Sequence, residues 1–186
     1  MISRIDKLWL FTLLLCLTPL LWLFFDIAFD RLGSNAVQAL HIRLGDWALR
    51  FLCLTLAITP IQKMTRWRGM SDYRQLFGLY TFLYASLHVL AYLAADHYFQ
   101  WRIIATDIIE STYIWFGILA YIIIFILAIT SPKLVKKLLG RNWKKLHRFI
   151  YLAAGAGIIH YFWQLKSNLA EPLFIRFKAS GEIIAW

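Results

Sequence analysis

The sequence predicts an all-α fold, a polytopic bundle of transmembrane helices that forms one domain over residues 1–186. The chain is 61% hydrophobic and only 16% charged, which is more apolar and less charged than a typical soluble domain. Its apolar residues fall in runs of the length that crosses a bilayer, about 20 residues per helix. Its net charge of +10 is divided among the short segments between these runs, which argues against a nucleic-acid partner.

Five apolar runs define the expected spans, at about residues 8–29, 44–61, 76–95, 113–130 and 147–165. The first run is too long for the apolar region of a signal peptide and lacks an A-x-A cleavage site, so we expect a retained helix. With a cytoplasmic N-terminus, the larger share of the 20 Lys and Arg falls on the cytoplasmic side, which favours that orientation. Residues 169–186 are too short and too charged to span, and they predict an outer tail. No internal repeat is evident.

Two histidines lie at the same depth in the third and fifth runs, which cross the membrane in the same direction. His88 and His160 are each about 12 residues, or ~18 Å, from the inner end of their helix. An imidazole inside a bilayer is costly and points to function, and two at one depth suit axial ligation of a haem iron. The alternative is that they hydrogen-bond across helices as structural contacts. His41 and His97 fall at the outer ends of helices, where we expect surface hydrogen bonds.

The residues before His160 are small, with the sequence AAGAG at 153–157. Small side chains leave room for the face of a porphyrin. The same pattern also lets two membrane helices pack closely, so the composition alone leaves both interpretations open.

His147 must serve a different site from His160, because 13 residues separate them by ~20 Å along a helix. It lies in a basic segment next to the cytoplasmic end of the third run, where no second histidine faces it. Basic side chains suit a flavin phosphate, an anionic semiquinone or a lipid head group; alternatively, they only orient the chain in the membrane. The residues expected at this inner cofactor site are Arg74, Gln75, Lys144 and Arg148.

Three segments resemble a known family: LGDWALRFLCLTLAITP at 44–60, GLYTFLYASLHVLAY at 78–92 and LLGRNWKKLHRFIYLAAGAGIIHYFW at 138–163. They resemble the MsrQ (YedZ) family, the haem-binding membrane subunits of bacterial MsrPQ systems within the ferric-reductase and NADPH-oxidase-like transmembrane superfamily. The resemblance covers roughly residues 8 to 174. Its most specific part is the W-x-x-L-H-R block with a second histidine 13 residues later.

The resemblance implies an electron-transfer subunit in the bacterial inner membrane. Such proteins carry b-type haem, and FMN is also attributed to them. Electrons pass from the respiratory quinone pool to MsrP, a periplasmic molybdenum enzyme that reduces methionine sulfoxide in oxidised proteins, so the sulfoxide chemistry belongs to the partner. The implied axial ligands are His88 and His160, with His147 as a second or alternative ligand. Arg74 takes the place of an inner ligand of two-haem relatives.

The sequence also departs from the family. Relatives have a sixth helix after a Glu-Pro-Leu like that at 171–173, and we expect it to be missing here because charged residues follow. No GxGxxG occurs, so direct hydride transfer from NADPH is not supported. The outer loops 30–43 and 96–112 would dock the partner. Two alternatives are a transmembrane ferric or cupric reductase and a haem-free membrane scaffold or transporter.

Overall fold

A computed structural model describes the backbone of residues 4–67 and 69–181 and the side chains of residues 7–67 and 69–166. This part of the chain is helical and contains no strand. Two short turns extend the helices: a π-helical turn over Tyr92–Asp96 and a 3₁₀ turn over His147–Phe149. The α-helices are α1 (Arg4–Ala28), α2 (Ala36–Thr65), α3 (Met70–Ala91), α4 (Trp101–Glu110), α5 (Thr112–Ile129), α6 (Lys133–Leu139), α7 (Arg141–Leu146) and α8 (Ile150–Gly181).

Four helical segments are long and apolar enough to cross a membrane: Lys7–Ala28, Ala36–Thr65, Met70–Asp96 and Thr112–Ile129. They coincide with the first four predicted runs and confirm a helical transmembrane bundle. The fifth predicted run falls on the 3₁₀ turn and the first half of α8. The count of five spans and the cytoplasmic N-terminus remain predictions, and the outer tail at 169–186 lies outside the described side chains.

The helix α2 is longer than its apolar run because a polar cap starts it early. The side chain of Asn35 accepts a hydrogen bond from the backbone N–H of Gln38 at 3.1 Å, which satisfies a donor that helix geometry leaves unpaired. The first two turns of α2 therefore include His41 and Arg43, which lie before the apolar run that starts at residue 44.

The helices pack as two main pairs, α2 with α3 and α5 with α8, and α3 also contacts α5. Between α2 and α3, the Phe51 ring lies 5.4 Å from Tyr80 and 5.2 Å from Tyr84, measured between ring centres. The hydroxyls of these tyrosines also hold α1, because Tyr80 donates to Leu13 O at 2.7 Å and Tyr84 to Cys16 O at 3.0 Å. The second pair packs Ile123, Ile124 and Leu127 of α5 against Ala153 of α8.

Large apolar side chains cover the outside of the bundle. On α1, Leu21, Trp22 and Phe24 are each at least 60% exposed. A soluble monomer seldom exposes apolar patches of this extent, so this surface is suited to lipid.

Candidate functional site

The structure brings His88 of α3 and His160 of α8 together in the interior of the bundle. Their ring centres lie 6.3 Å apart and the ring planes are at 83° to each other. Two imidazoles on opposite sides of one metal ion, with metal–nitrogen bonds of about 2.0 Å, would have ring centres about 6 Å apart. The pair therefore has the separation that axial ligation of one iron requires.

A backbone carbonyl of a neighbouring helix orients each of these rings. The Nδ1 of His88 lies 3.1 Å from the carbonyl oxygen of His41 in α2, and the Nδ1 of His160 lies 2.9 Å from that of Tyr113 in α5. Since a carbonyl can only accept, each Nδ1 carries the proton and donates it. The Nε2 atom is then the nitrogen left for a metal, and this second hydrogen bond is the usual support of a metal-binding histidine.

A glycine makes each of these hydrogen bonds sterically possible. The accepting carbonyls come four residues before Gly45 and Gly117, so the glycine N–H shares the same oxygen in the helix. A Cβ on Gly45 would lie 3.1 Å from His88 Cε1, and one on Gly117 would lie 2.9 Å from His160 Cε1 and Nδ1. Any larger residue would push the ring away from its carbonyl.

This arrangement of glycine, carbonyl and histidine occurs twice with the same spacing. In both cases 47 residues separate the accepting carbonyl from its histidine. The two helix pairs thus share one local geometry, although no repeat is evident in the sequence. The residues that carry this geometry are too few and too widely spaced to stand out in the sequence.

The small residues before His160 divide into two groups with different surroundings. Ala153, Ala154 and Ala156 are buried in helix packing. By contrast, a Cβ on Gly155 or Gly157 would meet no atom within 4 Å. The alanines therefore pack α8 in the bundle, as the close-packing interpretation predicts, and room for a porphyrin at the glycines stays a prediction.

The outer histidines are less exposed than the sequence suggested. The His41 ring lies against His88, with 4.2 Å between ring centres, and its side chain is 13% exposed. Its Nδ1 is 2.8 Å from Asp96 Oδ2, although the two groups are not aligned as a hydrogen bond. His97 is similarly half-buried, with Nε2 3.3 Å from Asp107 Oδ2. The expectation of a surface role was wrong for His41. Because α2 begins before the apolar run, His41 belongs to this helix, and its ring packs against His88 of α3.

His147 lies in the 3₁₀ turn before α8. It belongs to a second site, separate from the pair of His88 and His160. Its ring stacks on Trp143 at 4.0 Å between centres, and its Nε2 is 3.2 Å from Thr130 Oγ1. The positive charges of Arg74 and Lys136 lie close to the ring. An imidazole in this position could act as a ligand.

Only part of the predicted inner site converges. Arg74 is half-buried and close enough to His147 to affect its pKa. Gln75 contacts the end of α5, where its Nε2 donates to Ser131 O at 3.4 Å. Lys144 and Arg148 are exposed. Sequence reasoning noted Trp143 only as part of the W-x-x-L-H-R block, and it missed Thr130, whose residue type does not suggest a cofactor site without the fold.

Comparison with known proteins agrees with this fold. Residues 44–158 match the family model described as "Ferric reductase like transmembrane component". These features define a ferric-reductase-like transmembrane protein. No solved structure matches the chain significantly.

Curated relatives identify the particular family. The "Protein-methionine-sulfoxide reductase heme-binding subunit MsrQ" of Rhodospirillum rubrum is 39% identical over 159 residues, which cover 85% of this chain and 76% of the relative. The protein of the same name from Herminiimonas arsenicoxydans is 40% identical over 159 residues, covering 84% and 71%. That of Polaromonas naphthalenivorans is 36% identical over 176 residues, covering 93% and 80%. The chain belongs to the MsrQ family.

Proposed function

We propose that this chain is the haem-binding membrane subunit of a protein-methionine-sulfoxide reductase. In this role it receives electrons from the quinone pool of the bacterial inner membrane and delivers them to a periplasmic MsrP-like molybdenum enzyme. The observation that carries the proposal is the pair of imidazoles with ring centres 6.3 Å apart, each held through Nδ1 by a carbonyl. Haem b supplies one-electron transfer when it is bound between them.

The protein's own residues would hold and tune that group. His88 and His160 would bind the iron, and the carbonyls would fix their tautomer and raise their basicity. Both histidines are half-buried, and this burial would contribute to the reduction potential. The open space at Gly155 and Gly157 supports room for a porphyrin next to α8.

The inner site is proposed to take a second, anionic cofactor, for which family resemblance suggests FMN. Its support is the His147 ring next to the half-buried Arg74. His147 is also a candidate second or alternative iron ligand. The water-facing edge of the inner site would be formed by Gln75, Lys144 and Arg148. Because Lys144 and Arg148 are exposed, they agree equally with a role in orienting the chain in the membrane.

The outer segments 30–43 and 96–112 are proposed to dock the periplasmic partner, in a five-span bundle whose N-terminus is cytoplasmic. The second of these segments contains α4, which carries Asp107. That carboxylate accepts from Tyr92 at 2.7 Å and from Ser111 at 3.0 Å, so α4 is fixed to the outer end of α3. Electrons leaving the paired histidines would therefore exit beside an ordered surface.

The test is an oxidised-minus-reduced visible spectrum of the detergent-purified protein, beside alanine variants of single histidines. We expect a low-spin b-type spectrum in the wild type, which His88→Ala or His160→Ala removes or converts. His97→Ala is the matched control, because this outer histidine contacts Asp107 and not the pair, and it should leave the spectrum unchanged; His147→Ala should have a milder effect. If neither His88→Ala nor His160→Ala changed the haem spectrum, the ligand assignment would be overturned.

The same preparation separates the proposal from its alternatives. A ferric or cupric reductase agrees with the name of the matching family model, and it would be favoured if chelated Fe(III) oxidised the reduced protein as fast as MsrP does. A purified protein without haem would favour a membrane scaffold or transporter. Faster oxidation by MsrP than by the chelate is the result expected here.

A further inference from the structure

A cavity of about 430 Å³ lies between α1 and α2, with Tyr84 of α3 among its lining residues. Trp22 of α1 stands at its edge and is 68% exposed on the apolar outer surface of the bundle. The cavity therefore opens sideways, towards lipid, and its volume is within the range of small-molecule sites.

Arg43, Asp46 and Arg50 line the cavity, and each of them has an ion-pair partner. Arg43 forms an ion pair with the buried Asp26, and Arg50 lies 3.3 Å from Asp46. A phosphate or anionic head group would need an excess of positive charge, which these two pairs do not provide. The arginine side chains are 40% and 55% exposed, so their remaining donors stay available to a neutral ligand.

The walls suit a flat ring. The indole of Trp47 lines the cavity, and the Arg50 guanidinium lies 4.8 Å from the centre of that ring. The Asp46–Arg50 contact is longer than a usual charge-assisted hydrogen bond of ~2.8 Å, so both groups can also bond to a third partner. The site thus combines an aromatic surface, an acceptor and a donor within reach of lipid.

The cavity also adjoins the paired histidines. Tyr84 comes one helical turn, ~6 Å, before His88 in α3, and Trp47 lies 6.5 Å from Tyr84 between ring centres. Asp46 directly follows Gly45, the residue whose Cβ position faces the His88 ring. A redox-active molecule in this cavity would lie next to the proposed iron ligand.

We propose that this cavity binds the membrane quinol, with the Asp46 carboxylate accepting one hydroxyl proton and the Arg50 guanidinium donating to a ring oxygen. This inference rests on the proposed function and locates its electron donor. On oxidation, the two O–H bonds of the quinol break and it becomes a quinone. Its two electrons would pass one at a time to haem held by the paired histidines, and its two protons would leave through Asp46 to water on the outer side. The sequence had suggested the inner basic cluster as one possible site for an anionic semiquinone; the cavity lies instead in the half of α2 nearer its N-terminus.

The experiment follows haem reduction by decylubiquinol in the haem-loaded protein, with Asp46→Asn and Arg50→Gln as variants. We expect each to slow the second-order rate by about 10- to 100-fold, the effect of losing a hydrogen bond to a charged group. The visible spectrum should stay that of the wild type. Asp72→Asn is the matched control, since this exposed aspartate at the start of α3 lies away from the cavity and should leave the rate unchanged.

A second readout does not depend on turnover. An azido-ubiquinone, photoactivated in the purified protein, should label peptides of residues 43–50, and excess decylubiquinone should suppress the labelling. The proposed location would be overturned if the label fell on the inner basic segment around His147, or if both variants reduced haem at the wild-type rate. Quinol would remain the donor in either case. An anionic phospholipid retained in the cavity and lost in Arg50→Gln would also overturn it. If decylubiquinol fails to reduce the wild-type haem at all, the quinol part of the proposed function fails instead.

Discussion

Replacing Gly117 by alanine should weaken haem binding without changing either histidine. The new Cβ would lie 2.9 Å from two atoms of the His160 ring, whereas ordinary contact begins at 3.4 Å. The ring must therefore move by ~0.5 Å, which stretches its 2.9 Å hydrogen bond to Tyr113 O beyond the ~3.2 Å limit for an N–H donor. Loss of such a supporting bond typically costs 10- to 100-fold in metal affinity, and the crowding should cost about 1–3 kcal/mol in stability.

The glycines themselves provide a graded series. A Cβ on Gly45 would lie 3.1 Å from the His88 ring, and one on Gly78 would lie 3.8 Å from Thr55. Haem affinity, measured by titrating hemin into apoprotein and by transfer to apomyoglobin, should fall most in Gly117→Ala and less in Gly45→Ala. Gly78→Ala is the matched control and should bind as the wild type does. If Gly117→Ala retained haem as tightly as Gly78→Ala, the carbonyl support of His160 would have no part in binding.

Four further substitutions test how the bundle is held. Tyr80→Phe and Tyr84→Phe each remove a hydroxyl that holds α1, so each should lower the free energy of unfolding by ~1 kcal/mol; unchanged melting in the double variant would contradict this. Asp26→Asn leaves Arg43 unpaired. Because the Arg43 side chain is 40% exposed, the free energy of unfolding should fall by only ~1 kcal/mol. A fall several times larger would mean that the pair is buried more deeply than this exposure indicates. Asp107→Asn loosens α4, so trypsin should cut the outer segment faster; equal cleavage rates would show that this carboxylate does not fix it.

The spans and the depth of the two histidines could be predicted because the bilayer imposes a length on every crossing helix. That constraint places His88 and His160 at one level from residue counting alone. The same constraint does not define where a helix begins or ends, because that depends on capping. The sequence analysis therefore did not predict that α2, capped by Asn35, includes His41. The outer segment 96–112 was expected as a loop, yet it contains the helix α4, which is too short and too polar for a search for spans to detect.

The fine geometry of the site could not be predicted for a different reason. The hydrogen bonds to His88 and His160 use backbone oxygens, which every residue has, so no side-chain pattern marks them. Gly45 and Gly117 act by lacking a side chain, and a single glycine in an apolar helix can equally serve the close packing of two membrane helices. Of the basic residues near His147, Lys144 and Arg148 are exposed, whereas Arg74 and Lys136 bring their charges close to the ring.

The two histidines are supported by different halves of the molecule, and this has a consequence for how the protein is made. α2 carries the carbonyl for a ligand on α3, and α5 carries the carbonyl for a ligand on α8. Each helix pair can therefore orient its own imidazole as soon as the two helices have entered the membrane, before the other pair is complete. A cofactor bound by both rings would then join two helix pairs whose imidazoles are already oriented. The free energy of its binding would also stabilise the association of the two pairs. Cells starved of haem should accordingly accumulate a bundle whose halves are inserted but poorly joined.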